Sequence, residues 1–121
     1  MIDMPHQIAN KRLSRTDGHR KALLRNLATS FFLHERIETT TTKAKETSKI
    51  VDRLITQARR GDLHSRRLVA AYLLDPRVTK KLCDQIAPTL KDRPGGYTRI
   101  IKSRVRPGDA AELSILELVR E

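Results

Sequence analysis

Leu23, Leu24, Leu27, Ala28 and Phe31 recur at the three- and four-residue spacing of one helix face, and Lys21 and Arg25 fall off that stripe. The spacing predicts a helix over residues 18 to about 33, with Thr16 or Asp17 as its cap. Residues 35–39 (Glu-Arg-Ile-Glu-Thr) alternate polar and apolar, which predicts a short strand. The run Thr39-Thr40-Thr41-Thr42 offers several caps for a second helix reaching about Arg60. Its buried stripe is Ala44, Thr47, Val51, Leu54, Ile55 and Ala58, with Lys49, Arg53 and Arg60 near the opposite face. Gly61 follows Arg59 and Arg60. Cations beside the last carbonyls and a residue free to turn left-handed are what a helix C-terminus favours.

Asp62 can cap a third helix, short and apolar over residues 68–74. Asp75-Pro76 then supplies a cap and a proline at the first position of a fourth helix, where the missing N–H costs nothing. That helix turns Val78, Leu82 and Ile86 inward and ends near Pro88. Arg93-Pro94-Gly95-Gly96 is a loop by composition. Two β-rich runs, residues 97–105 and 113–119, flank Arg106-Pro107-Gly108-Asp109 and should pair as a hairpin. The order helix, strand, three helices, two strands predicts an α/β, two-layer domain in which helices cover a small mixed sheet. Residues 1–15 show no helical period and are expected as an extended basic arm. Residues 16–121 are expected as a single domain, with no repeat or linker dividing them.

Charge changes this picture. The chain of 121 residues carries a formal +11, placed unevenly. Residues 10–25 hold six Lys or Arg against Asp17, and residues 91–106 hold six against Asp92. Residues 107–121 reverse the balance, with Arg120 against Asp109, Glu112, Glu117 and Glu121. Charge runs are most often solvated faces. Here one window is an arm broken by Ser14, Thr16 and Gly18, and the other crosses a glycine-rich loop and a strand. Such segments can follow a polyphosphate closely, because small and hydroxyl residues let the backbone approach and donate hydrogen bonds. The residues expected to contact RNA in the first window are Lys11, Arg12, Ser14, Arg15, Thr16, His19, Arg20, Lys21 and Arg25. In the second they are Arg93, Gly95, Gly96, Arg99, Lys102, Arg104 and Arg106.

Composition closes off other classes. There is no Trp and only 3% aromatic content, which argues against base-stacking platforms. A single cysteine, Cys83, excludes an internal disulfide framework and makes a reducing interior the default compartment. No apolar run approaches the roughly 18 residues that a membrane span needs. The first ten residues hold no Lys or Arg and read as neither secretory signal nor transit peptide. His6, His19, His34 and His64 are scattered without a ligand spacing and read as structural or phosphate-contacting. Cys83 beside Leu82 reads as an inert, at least half-buried thiol. The carboxylates of Asp109, Glu112, Glu117 and Glu121 read as surface groups or internal partners of the basic residues, not as a catalytic pair. Gly95-Gly96 lacks the helix and lysine of a nucleotide loop. No cofactor or metal is expected. Besides RNA binding, two readings stand: an RNA-modifying or RNA-cleaving enzyme, which needs a catalytic cluster, and a nucleoid or transcription-associated DNA binder.

The run Leu13-Ser-Arg-Thr-Asp-Gly-His-Arg-Lys-Ala-Leu-Leu-Arg-Asn-Leu-Ala-Thr-Ser-Phe-Phe resembles the opening of the bacterial large-subunit ribosomal protein seventeen family. Glu35-Arg-Ile-Glu-Thr-Thr, Arg59-Arg-Gly-Asp-Leu-His and Asp92-Arg-Pro-Gly-Gly-Tyr-Thr-Arg-Ile are similar to that family's motifs and follow its order. So do Gly108-Asp-Ala-Ala and Ile115-Leu-Glu-Leu-Val. The nearly uncharged opening, residues 1–10, departs from the family's Met-Arg-His-Arg type start. The resemblance implies a non-enzymatic structural component of the large ribosomal subunit, cytoplasmic and ribosome-bound. It implies a place near the outer rim of the peptide exit tunnel, contact with large-subunit ribosomal RNA, and large-subunit protein thirty-two as a neighbour.

Overall fold

The computed structural model describes residues 17–119. The expected arm and five of the expected contact residues, Lys11, Arg12, Ser14, Arg15 and Thr16, lie outside the described residues. The chain runs α1 (Asp17–His34), β1 (Arg36–Thr40), α2 (Thr41–Arg60), α3 (Leu63–Leu73) and α4 (Pro76–Lys81). A π-helical stretch (Leu82–Ile86) and a closing turn α5 (Ala87–Thr89) continue α4. The hairpin strands β2 (Thr98–Val105) and β3 (Glu112–Leu118) follow. The expected two-layer α/β domain is present.

The caps explain the boundaries. Thr40 is extended, and its hydroxyl accepts from the Lys43 N–H to open α2. Gly61 closes α2 at φ 75°, with its N–H on the Ala58 carbonyl. Asp62 and Asp75 cap α3 and α4 through Ser65 N–H and Arg77 N–H. The wide π turn sits just before Pro88, where a tight turn would meet the proline ring and lose its hydrogen bond. No glycine ends α1. Glu35 takes the left-handed turn at φ 64°, and Lys81 of α4 reaches over to hydrogen-bond the Leu33 carbonyl at 2.7 Å and the Glu35 carboxylate at 3.2 Å.

The strand order is β1-β3-β2, and both pairings are antiparallel. This corrects the expected mixed sheet. β1 and β2 do run in the same direction, but β3 enters between them, so no parallel pair forms. Leu116 on the central strand lies opposite Ile37 on one side and Ile100 on the other.

The core joins Phe31 and Phe32, edge to face at 5.4 Å, to Val51, Ile55, Val69, Leu82, Ile86, Tyr97 and Leu116. All six stripe residues expected on α2 are buried, and so is Glu46. On α1 the buried residues are Leu24, Ala28, Phe31 and Phe32, while Leu23 and Leu27 are half-covered. Phe32 is enclosed because α1 packs against α2, α3, α4 and β1. α3 differs from its expected apolar run. It buries the row Ser65, Val69 and Leu73 and leaves Leu68 and Leu74 exposed.

Candidate nucleic-acid interface

The expected contact residues among those described fall into three groups, on α1 against α2, on the loop held by the end of α2, and on the hairpin. α2 has 20 residues and is about 30 Å long, so the first two groups, one beside its opening half and one at its last turn, are not gathered in one pocket.

The first group lies on the opening turns of α1. His19, Arg20, Lys21 and Arg25 are there, and the last three border a cleft of about 400 Å³. Its other wall is one face of α2: Glu46, Lys49, Ile50 and Arg53, at the helical spacing of three, four and seven. Tyr72 of α3 also lines it, and the Arg25 guanidinium lies 5.1 Å from the Tyr72 ring centroid. Glu46 is only 3% exposed and has Lys49 Nζ at 3.4 Å. Arg20 keeps 13% of its side chain exposed, with one guanidinium nitrogen 3.7 Å from Asp17. Its Nε is buried and has no hydrogen-bond acceptor among the described residues. Lys49 and Arg53 were placed by spacing on the outer face of α2, but nothing in the sequence brings that face to α1.

The second group is the loop with Arg93, Gly95 and Gly96. Arg59 organises it from the end of α2. Its guanidinium donates to the Arg93 carbonyl at 2.5 Å, to the Lys91 carbonyl at 2.6 Å and to the Tyr97 hydroxyl. Tyr97 is buried, with Arg59 over its ring at 5.5 Å. Arg93 Nε turns back to the Gly96 carbonyl at 3.2 Å. Gly96 has φ 64°, whereas Gly95 does not need the left-handed region, and a Cβ on either would meet nothing within 4 Å. The two glycines therefore separate backbone strain from outside contact. Gly96→Val should cost about 1–3 kcal/mol of strain in the free protein. Gly95→Val should leave the melting temperature unchanged and still weaken association with ribosomal subunits, if RNA approaches this loop. Equal association of wild type and Gly95→Val would remove the loop from the interface.

The third group is on the hairpin, and every member has an acid beside it. Arg99 Nε is 3.0 Å from Glu117, Lys102 Nζ is 3.4 Å from Glu112, and Arg104 forks onto Glu38 at 3.2 and 3.3 Å. Arg106 grips Asp109 with two hydrogen bonds of 2.6 and 2.9 Å. These pairs are solvent-exposed and worth little, so a phosphate can replace the carboxylate, but the hairpin offers less free positive charge than its six-base window implied. The Arg106 guanidinium and the Ala111 N–H together hold the Asp109 carboxyl down to about 2. A depressed carboxyl stabilises the fold above its unfolded pKa, and the benefit is lost as pH falls through the folded value. The hairpin turn should therefore keep this contact at neutral pH and lose it between about pH 4 and pH 2. A carboxyl NMR titration should place the Asp109 midpoint near 2, and Arg106→Ala should return it towards 4.

Among the described residues no three His, Cys, Asp or Glu come together as a metal set, and no helix is long and apolar enough to cross a membrane. Burial pushes the half-covered Cys83 thiol up, which leaves it a poor nucleophile at neutral pH.

Comparison with known proteins says to which class this small basic α/β domain belongs. Residues 23–119 match the family described as Ribosomal protein L17. The chain is 54% identical over 118 residues to the large ribosomal subunit protein bL17 of Geobacter sulfurreducens, covering 98% of this chain and 67% of that protein. With the bL17 of Halothermothrix orenii it shares 54% over 111 residues, covering 92% of this chain and 97% of the other. With that of Campylobacter concisus the figures are 52% over 118 residues, 98% and 100%. The chain belongs to the ribosomal protein L17 family, a family of ribosomal structural proteins and not of enzymes.

Proposed function

We propose that this chain is a structural constituent of the large ribosomal subunit that supports translation by binding large-subunit ribosomal RNA. It is ribosome-bound in the bacterial cytoplasm, near the outer rim of the peptide exit tunnel, with large-subunit protein thirty-two as a neighbour. Family membership over residues 23–119 carries the assignment to the ribosome. The formal +11, concentrated in residues 10–25 and 91–106, supports RNA as the partner, because closely spaced cations release counterions from a polyphosphate. In this reading the first window supplies Lys11, Arg12, Ser14, Arg15, Thr16, His19, Arg20, Lys21 and Arg25. The second supplies Arg93, Gly95, Gly96, Arg99, Lys102, Arg104 and Arg106, with the hairpin cations exchanging carboxylate for phosphate.

The test is sedimentation. The chain should travel with large subunits and resist a moderate-salt wash. Recovery free of ribosomes at physiological salt would contradict the assignment and favour a separate nucleic-acid binder.

A further inference from the structure

Among the described residues, the cleft between α1 and α2 is lined by Arg20, Lys21, Arg25, Lys49 and Arg53 with one carboxylate, Glu46, while Asp17 lies 3.7 Å from Arg20. Cations this close repel one another unless an anion joins them. Glu46 is buried at 3% exposure and already engaged with Lys49, so it cannot neutralise the rest. Among the described residues the buried Arg20 Nε has no acceptor, and a buried charged donor without a partner is costly. Arg25 is held on the Tyr72 ring, which fixes its guanidinium in place and covers that ring face against a stacking base. We infer that this cleft is a binding site for backbone phosphates of RNA, with Arg20, Lys21, Arg25, Lys49 and Arg53 as the phosphate-facing groups. The inference rests on the RNA-binding reading above and gives it a place.

Phosphate fits better than a base or an acidic peptide. The walls are cationic on both sides, and guanidinium forks match phosphate oxygens. The basic run that begins at Lys11 continues into α1 at its N-terminal, positive end. An extended polyanion presents phosphates in series to the several cations of the cleft, whereas a short acidic segment presents fewer.

The experiment is a salt titration of binding to purified large-subunit ribosomal RNA. Its test variant is Lys21→Gln with Arg53→Gln, because both side chains are exposed on the two walls of the cleft. The matched control is Arg77→Gln with Lys80→Gln, which removes the same charge from α4 outside the cleft. The test variant should lower the salt slope by about 1.5, at 0.7 to 0.9 per lost contact, and the control should not. If the double variant melts early, Lys21→Gln alone carries the test with a fall of about 0.7 to 0.9. An unchanged slope, or an equal fall in the control, overturns the cleft site while leaving RNA binding intact. Wild-type protein without a salt-dependent affinity overturns the RNA reading and the site together. A variant that keeps its slope on naked RNA but no longer joins subunits assigns the cleft to an acidic protein segment, which also overturns the proposal.

Discussion

Leu116→Ala should lower the stability of the free domain by about 2 to 5 kcal/mol. Leu116 is fully buried on the central strand, with Ile37 and Ile100 opposite it on the two flanking strands. Its truncation removes apolar contacts and leaves a cavity that the sheet cannot collapse around without moving both neighbours. Ile115 points to the other face of the sheet and is only half-covered, so Ile115→Ala should cost clearly less. Denaturant unfolding with unchanged m-values measures both. A loss below about 1 kcal/mol for Leu116→Ala would mean that the sheet is not packed as described.

Replacing Lys11, Arg12, Arg15 and Arg20 together with Ala should lower the salt slope of RNA binding by about 3, at 0.7 to 0.9 per phosphate contact. Three of these residues belong to the run leading into α1, and Arg20 lines the cleft. A slope of that size makes the loss of affinity grow with salt dilution, which distinguishes phosphate contacts from a simple folding defect. The check is a binding titration at several salt concentrations on large-subunit RNA. An unchanged slope would show that these side chains are solvated and idle.

Local chemistry made much of the fold legible in advance. Thr40, Gly61, Asp62 and the Asp75-Pro76 pair mark helix ends because their side chains or φ angles satisfy groups that every helix end leaves open. The α2 stripe was legible because a helix buried on one side repeats its apolar positions. Tertiary relations were not legible. Nothing local brings Lys21 and Arg25 of α1 to Lys49 and Arg53 of α2, so the cleft appears only when the helices pack. Arg59 looked like a cation at a helix end and is the clasp of the loop, donating three hydrogen bonds from the last turn of α2 to Lys91, Arg93 and Tyr97. The acids of the hairpin were open to two readings, surface groups or partners of the bases. Glu117 lies opposite both Arg36 and Arg99 in the strand register, so the second holds for it. The antiparallel sheet depended on where β3 would insert, which the order of elements along the chain does not fix.

We propose that residues 10–25 and 91–106 hold ribosomal RNA while the acidic residues 107–121 do not. Cross-linking within purified large subunits, followed by mapping of nucleotide-bearing peptides, tests it most directly. The account predicts adducts on peptides from residues 11–25 and 93–106. Adducts confined to residues 113–119, or none on any peptide of the chain, would contradict it.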